Sequence, residues 1–208
     1  MNRFAFTLLE LVFVLIVIGI LAVLAMPNFR GHPLQDAAQQ VANHIRYTQH
    51  LAMVDDKYDP IDPTWYKKFW RIRFYESGTP DTYYYAVFND TDKENNIDTT
   101  THTEPAIDPV TKKYLYVGNS PADVRNNERM NLTDTYGIIN VISTCDAGWI
   151  EFFFDNLGRP YVNSVSSNPT PPYSNLLTLD CIITLQHQTD GNASITISKE
   201  TGYVSVTY

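Results

Sequence analysis

The stretch that decides the fold stands at the start of the chain, where residues 4–26 read FAFTLLELVFVLIVIGILAVLAM. Glu10 is the one charged residue in it. A run of about 20 apolar residues forms a helix about 30 Å long, which is the thickness of the hydrocarbon core of a bilayer. The sequence therefore predicts a transmembrane helix segment over 6–26.

An ordinary secretory signal is the alternative for this stretch. Such a signal has an apolar region of about 7–15 residues followed by a cleavage site with small residues. Val23 and Ala25 fit that site, but the apolar region here is longer and Glu10 interrupts it. A carboxylate in a bilayer costs on the order of 2–3 kcal/mol. Glu10 therefore either reaches toward the lipid headgroups or has a partner for its charge.

The residues before and after this point resemble a known processing site. Ala5, then Phe6-Thr7-Leu8-Leu9-Glu10 and an apolar helix, is similar to the N-terminus of type IV prepilins. The resemblance implies that a prepilin peptidase removes a leader, 1–5, by cleaving between Ala5 and Phe6. It further implies that Phe6 is N-methylated and that its amine pairs with Glu10 of a neighbouring subunit during assembly. Ala5 stands where this family usually has glycine, and Pro27 stands where pilin helices carry a helix-loosening proline.

Residues 27–56 are predicted to continue the helix in amphipathic form. Apolar or small residues recur there every three or four positions, at Leu34, Ala38, Val41, Ile45, Thr48 and Ala52. Together with 6–26 this predicts one helix of roughly 45–50 residues, about 70 Å long.

Residues 57–208 are predicted to form a β-rich head. Seven β-type runs separated by turn residues lie at 70–76, 82–88, 137–143, 149–155, 181–187, 193–199 and 203–208. The last two alternate between apolar and polar residues, which is typical of half-buried antiparallel strands. The expected fold class is α+β. A long N-terminal helix, part transmembrane and part amphipathic, would pack on a mostly antiparallel β head of pilin type. The phrase WIEFFFDNLGRPYV at 149–162 and the final strand pair resemble minor pseudopilins and pilins of the GspH/FimT group.

Composition argues against one class of partner. The chain of 208 residues has a formal net charge of −8, whereas binding driven by phosphate attraction needs clustered basic residues. Residues 65–75, WYKKFWRIRFY, interleave basic and aromatic residues as a single-strand nucleic-acid platform does. As a strand, however, this run places Arg71 and Arg73 together on one face. Nucleic acid is therefore not an expected partner.

Cys145 and Cys181 each stand just before a predicted strand. In an oxidising periplasm they are expected to form a disulfide. Closing a loop of about 35 residues would contribute roughly 3 kcal/mol to stability. Two separately buried thiols are the alternative.

The loop at 89–98, NDTDKENNID, carries oxygen-bearing side chains at alternate positions: Asp90, Asp92, Glu94, Asn96 and Asp98. Calcium prefers such oxygen ligands. The glycine of an EF-hand is missing and Thr101 holds the twelfth position, so Glu104 would have to reach back to complete a site. A solvated acidic loop is the alternative. No cofactor is required by any other feature.

A shorter motif, Asp190-Gly191-Asn192-Ala193-Ser194, has two interpretations. It fits the acid-x-Asn-x-Ser acceptor of some bacterial N-glycosylation systems, and it also fits a hairpin turn.

The sequence lacks the common nucleophile, metalloprotease, P-loop and dinucleotide motifs, so an enzyme is not expected. The resemblance implies a minor pseudopilin of a type II secretion-like periplasmic filament, helping to initiate or cap pseudopilus assembly for protein export. It would be a single-pass protein of the bacterial inner membrane with a periplasmic head. Its partners would be the prepilin peptidase, other pseudopilins or pilins, and the inner-membrane assembly platform. The alternative is a minor type IV pilin in pilus biogenesis or DNA uptake.

Overall fold

A computed structural model describes residues 7–25, 31–78, 81–98, 102–117, 126–145, 150–162 and 174–208. The chain divides into two compact units, 1–32 and 33–208. The helices are α1 (Leu8–Ala25), α2 (Pro33–Val54) and the short α3 (Leu132–Tyr136), with 3-10 turns at Trp65–Lys68 and Glu128–Met130. The strands are β1 (Trp70–Ser77), β2 (Thr82–Asn89), β3 (Ile138–Ser143), β4 (Glu151–Phe154), β5 (Pro160–Val162), β6 (Cys181–His187), β7 (Gly191–Ile197) and β8 (Val204–Thr207).

The first unit contains α1, which is apolar on every side and exposed. Its large apolar side chains range from 39% exposure at Val17 to 81% at Leu8. Its 18 residues rise about 27 Å, which falls short of a hydrocarbon core of about 30 Å. Within the described residues, no helix combines the length and the apolar character needed to cross a membrane. The predictions of a transmembrane helix half, and of a single-pass inner-membrane protein with a periplasmic head, are therefore wrong.

The prediction of one long N-terminal helix is also wrong. α1 ends at Ala25, Gly31 and His32 are not helical, and α2 begins at Pro33. Proline is favoured at the first helical position because its fixed φ suits the helix and its missing N–H is not needed there. Pro33 therefore starts a new helix, α2, which belongs to the second unit.

The second unit contains two four-stranded sheets, and every described pairing of strands in them is antiparallel. The first sheet has the order β2-β1-β4-β5 and the second has the order β3-β6-β7-β8. Each of the seven predicted runs overlaps one of these strands, and β5 is a further strand. Trp149, which the prediction placed in a strand, lies outside the described residues.

The core of the second unit lies between α2 and the sheets. One face of α2 is buried, formed by Leu34, Ala37, Ala38, Val41, Ala42, Ile45, Thr48 and Ala52. Four of these eight residues are alanines, and their small side chains allow the helix backbone to approach both sheets. The opposing apolar residues come from alternate positions of the strands, such as Ile183, Leu185 and Ile195, which are fully buried.

The predicted disulfide is present and joins Cys145, just after β3, to Cys181, the first residue of β6. Their Cα atoms lie 5.4 Å apart. Cys181 is fully buried, and Cys145 packs against the same hydrophobic core. The bond therefore ties the ends of two neighbouring strands of the second sheet.

Candidate functional site

The start of α1 is held by a reciprocal pair of hydrogen bonds between Thr7 and Glu10. The Thr7 backbone N–H donates to Glu10 Oε2 at 2.9 Å, and the Glu10 backbone N–H donates to Thr7 Oγ1 at 3.3 Å. This is the capping box of a helix N-terminus, in which two backbone donors that lack intrahelical partners are satisfied at once. The run T-L-L-E carries the signature of this motif, although the resemblance to prepilins directs attention to Glu10 alone.

The same hydrogen bonds keep Glu10 ionised. The backbone N–H and the hydroxyl of Thr7 both donate to Oε2 and lower the pKa of the Glu10 carboxyl below its usual range. Hydrogen bonds to the charged form of a carboxyl have this effect. Glu10 is therefore an exposed carboxylate at the first turn of an exposed apolar helix. Ala5, Phe6 and Pro27, which the prepilin resemblance singles out, lie outside the described residues.

Three carboxylates come together beside the end of β2. One oxygen atom from each of Asp90, Asp92 and Glu104 lies within 4.8 Å of the others, and this cluster could hold a metal ion. Asp90 and Glu104 are buried and Asp92 is exposed. Glu104 reaches the cluster because its backbone continues the sheet, with the Asn89 N–H donating to the Glu104 carbonyl at 3.1 Å.

Glu104 also organises the loop that carries the other two carboxylates. Its Oε1 accepts hydrogen bonds from the backbone N–H groups of Thr91 and Asp92, and its Oε2 accepts one from Asp98. The cluster thus contains Asp90 and Asp92 of the predicted loop set and adds Glu104. The other predicted ligands, Glu94, Asn96 and Asp98, are not members of any candidate metal cluster within the described residues.

Asp90 is the member of the cluster with an unusual environment. Its Oδ2 accepts a hydrogen bond from the Asn95 N–H at 3.0 Å, while its Oδ1 is buried without a hydrogen-bond partner in the described part of the chain. Burial raises the pKa of the Asp90 carboxyl to about 6, the nearby carboxylates of Asp92 and Glu104 add to the rise, and Arg71 opposes it. A buried oxygen with no donor is the place where a cation would supply the missing contact.

Behind the cluster lies a buried group of charges. Glu151 Oε1 accepts from Arg71 Nη1 at 3.2 Å and from Arg73 Nη2 at 2.9 Å. Arg71 Nη1 is also 3.6 Å from Asp90 Oδ2, which connects this group to the acidic cluster. Asn95 completes the connection because its backbone carbonyl and its side-chain oxygen each accept from Arg73 at 2.8 Å.

The alternation of β1 predicts correctly that Arg71 and Arg73 share a face, but the sequence does not indicate that this face is buried. Both arginines are at most 4% exposed, and both lie over the ring of Phe88 at 5.5–5.6 Å. Their guanidinium groups are thus occupied by Glu151, Asn95 and an aromatic face rather than presented to solvent. The signal that could have identified them is the single glutamate, Glu151, in the otherwise aromatic strand β4.

Comparisons of the chain with protein-family models, with curated proteins and with solved structures found no match.

Proposed function

We propose that this chain is a filament subunit, a minor pseudopilin of a type II secretion-like machine, which helps to initiate or cap the filament through its N-terminal helix. The observation that carries the proposal is α1. Large apolar side chains are exposed on all sides of this helix, and a helix of that kind is normally buried against other protein. Packing against the corresponding helices of neighbouring subunits would remove this surface from water.

Glu10 supplies the specificity of that packing in our proposal. An ionised carboxylate among apolar helices is unfavourable unless a positive charge meets it. The amine that a prepilin peptidase would create at Phe6 of a neighbouring subunit is such a charge. One ion pair per contact would then set the axial register between adjacent helices, since any other register leaves both charges unpaired.

The first prediction separates the charge of Glu10 from its role in the capping box. Glu10→Gln retains an oxygen that can accept from the Thr7 N–H, since glutamine also serves in capping boxes, but it removes the charge. We expect the fraction of the chain recovered in sheared filaments to fall about tenfold or more, which corresponds to a loss of at least about 1.4 kcal/mol per contact. Thr7→Ala is the matched variant, because it breaks the capping box and keeps the carboxylate, and we expect it to assemble.

Two controls accompany this assay. N-terminal sequencing of each variant establishes that processing before Phe6 is unchanged. Asp36→Ala removes another exposed first-turn acid, in α2, and should leave assembly as in the wild type. Filament incorporation of Glu10→Gln at the wild-type level would refute the pairing of Glu10 with an amine.

The alternative filament function is that of a minor type IV pilin in pilus biogenesis or DNA uptake. The net charge of −8 and the burial of Arg71 and Arg73 both argue against direct contact with DNA. We therefore favour recruitment of partner subunits or exported protein by the head, through binding and without catalysis.

We further propose that the cluster of Asp90, Asp92 and Glu104 binds calcium. Three carboxylates with mutual spacing below 4.8 Å suit Ca²⁺, whose oxygen ligands lie about 2.3–2.6 Å from the ion. The exposed position of Asp92 leaves room for water to complete the six to eight ligands, a number of about the usual size for this ion. The unpartnered Oδ1 of Asp90 supports a cation rather than a purely solvated loop.

The second prediction tests this site by calorimetric titration of the full chain with CaCl₂. Asp92→Asn should weaken calcium binding at least about tenfold, as expected when a charged ligand is lost. Glu94→Gln, in the same loop but outside the cluster, should not change it. Because Ca²⁺ competes with the proton of Asp90, affinity should decline as the pH falls through about 6. Equal effects of the two substitutions, or the absence of a binding signal at pH 7.5, would rule out this ligand set.

A further inference from the structure

We propose that Asn192 is an acceptor for N-linked glycosylation, receiving an oligosaccharide from a polyprenyl diphosphate donor. The inference does not depend on the filament proposal, because it rests on the exposed turn between β6 and β7 and on the residues that surround it. It assigns the motif at 190–194 a role beyond that of a hairpin turn.

The chain contains three Asn-x-Ser/Thr sequences without proline at the middle position, beginning at Asn89, Asn131 and Asn192. Only the last has an acidic residue two positions earlier, Asp190; the corresponding residues before the other two are Val87 and Arg129. The acid-x-Asn-x-Ser form thus selects one of three candidate acceptors.

The structure selects the same residue by a separate criterion, the availability of the amide. Asn131 caps α3, with its Oδ1 accepting from the Asp134 N–H at 2.9 Å and its Nδ2 donating to Asp134 Oδ2 at 2.7 Å. Asn89 is only 7% exposed, and its Oδ1 accepts from the Thr91 hydroxyl at 2.6 Å. Neither amide is free to enter the active site of another enzyme.

Asn192 differs from both because it is exposed at the end of a hairpin. Residues 188–190 form a three-residue turn, and Gly191 follows with a φ of +88°, a conformation that suits glycine at the end of such a turn. Asn192 pairs with Gln186 of β6, but the pairing of β7 with β8 begins only at Ser194. One edge of the backbone at Asn192 therefore has no neighbouring strand in the described part of the chain.

The acidic residue of the motif is presented as well. The Asp190 side chain is 42% exposed, and its Oδ1 accepts from the Thr189 hydroxyl at 2.9 Å while Oδ2 is 3.6 Å from His187 Nδ1. These local contacts hold the carboxylate at the surface without neutralising it by a lysine or arginine. A cationic side chain of a transferase could pair with it in a charge-assisted contact.

The transfer requires no redox partner. The Asn192 Nδ2 attacks C1 of the first sugar and forms the N–C1 bond, and the bond between C1 and the diphosphate oxygen breaks. Polyprenyl diphosphate leaves with the electron pair of that bond, and one amide proton passes to a base of the transferase. An amide nitrogen is a weak nucleophile, so the reaction depends on an oligosaccharyltransferase that holds the acceptor in place.

The test uses the full, disulfide-intact chain with a purified acid-requiring bacterial oligosaccharyltransferase and a lipid-linked oligosaccharide, read by intact mass and peptide mapping. We expect one glycan per chain, located at Asn192, and none on Asn192→Gln. Asp190→Asn should lower the initial rate about tenfold or more, since it removes the charge recognised by the enzyme.

A matched variant separates sequence from accessibility. Arg129→Asp gives Asn131 an acidic residue at the same spacing but leaves its amide bonded to Asp134, so we expect no glycan there in the folded protein. A synthetic peptide covering 188–196 confirms that the enzyme is active. Modification of that peptide but not of the folded chain would overturn the proposal, and so would equal rates for Asp190→Asn and the wild type.

Discussion

Replacing Glu151 with glutamine is expected to lower the free energy of unfolding by about 3–5 kcal/mol, the usual cost of removing one partner of a buried ion pair. Glu151 is fully buried and is the one carboxylate within hydrogen-bond distance of both Arg71 and Arg73 among the described residues. Glutamine has nearly the same shape but no charge, so the two guanidinium groups would lose their main counterion. Urea denaturation of both proteins at pH 7 measures the difference.

The expected effect is large because no other group can easily replace Glu151. Asp90 is the next carboxylate, but its oxygen is 3.6 Å from Arg71 Nη1, and burial raises its pKa to about 6. Neither arginine can move its guanidinium into solvent without opening the loop that Asn95 holds over it. Two uncompensated positive charges would therefore remain buried side by side.

A surface ion pair provides the comparison. Lys57 and Asp55 lie 2.5 Å apart with side-chain exposures of 20% and 46%, and a pair of this kind contributes about 0–1 kcal/mol. Lys57→Gln should accordingly change the free energy of unfolding by less than about 1 kcal/mol. If Glu151→Gln has an effect as small as Lys57→Gln, then the arginines do find other partners and the buried network has been misjudged.

The triple variant Arg71→Met, Arg73→Met, Glu151→Leu distinguishes two meanings of this network. If the network itself contributes little net stability, its replacement by apolar residues should recover most of the loss seen in Glu151→Gln. The acidic loop would still lose its anchor, because Asn95 accepts from Arg73 through two oxygen atoms. We therefore expect the triple variant to be folded but to bind calcium more weakly.

Strand positions could be predicted from sequence because each run carries its own local signal. In β7, Ile195 and Ile197 alternate with polar residues, and they are buried as that alternation requires. β5 has only three residues, Pro160–Val162, and its proline is not a strand former, so no periodicity of this length could identify it. Local patterns thus locate long strands and miss short ones that exist through pairing.

The N-terminal helix was misjudged because an apolar run was extended across residues that do not continue it. The count of apolar residues to Met26 suggested a membrane span, but α1 begins at Leu8, where Thr7 and Glu10 close the capping box, and it ends at Ala25. Pro33 then starts α2 at its first position. Both boundaries have recognised sequence signals, a T-x-x-E box and an N-terminal proline, which outweigh overall hydropathy in placing the ends of a helix.

The acidic cluster could be predicted only in part because one ligand comes from outside the loop. Asp90 and Asp92 are two residues apart, so the alternating pattern finds them. Glu104 joins them through pairing of its backbone with the end of β2, a contact between segments that local sequence does not encode. The burial of Asp90, which gives the cluster its unusual chemistry, follows from Arg71 and the loop that covers it.

Removing the disulfide is the second change with a large expected effect. Cys145 and Cys181 are separated by 36 positions, and the chain-entropy model gives about 4 kcal/mol for a loop of that length. The bond joins the end of β3 to the start of β6, so its loss frees two strand ends in the second sheet. Cys145→Ala should lower the free energy of unfolding by about that amount in urea denaturation.

The wild type measured in excess thiol reductant serves as the matched comparison, because it loses the same bond without a substitution. Ser143→Ala controls for local packing, since the Ser143 hydroxyl lies 3.1 Å from Cys145 Sγ and 3.4 Å from Cys181 Sγ, and it should cost less than about 1.5 kcal/mol. Agreement between Cys145→Ala and the reduced wild type would assign the loss to the covalent link. If reductant leaves the stability of the wild type unchanged while Cys145→Ala destabilises the chain, then burial of the thiols, and not the bond, supports the second sheet.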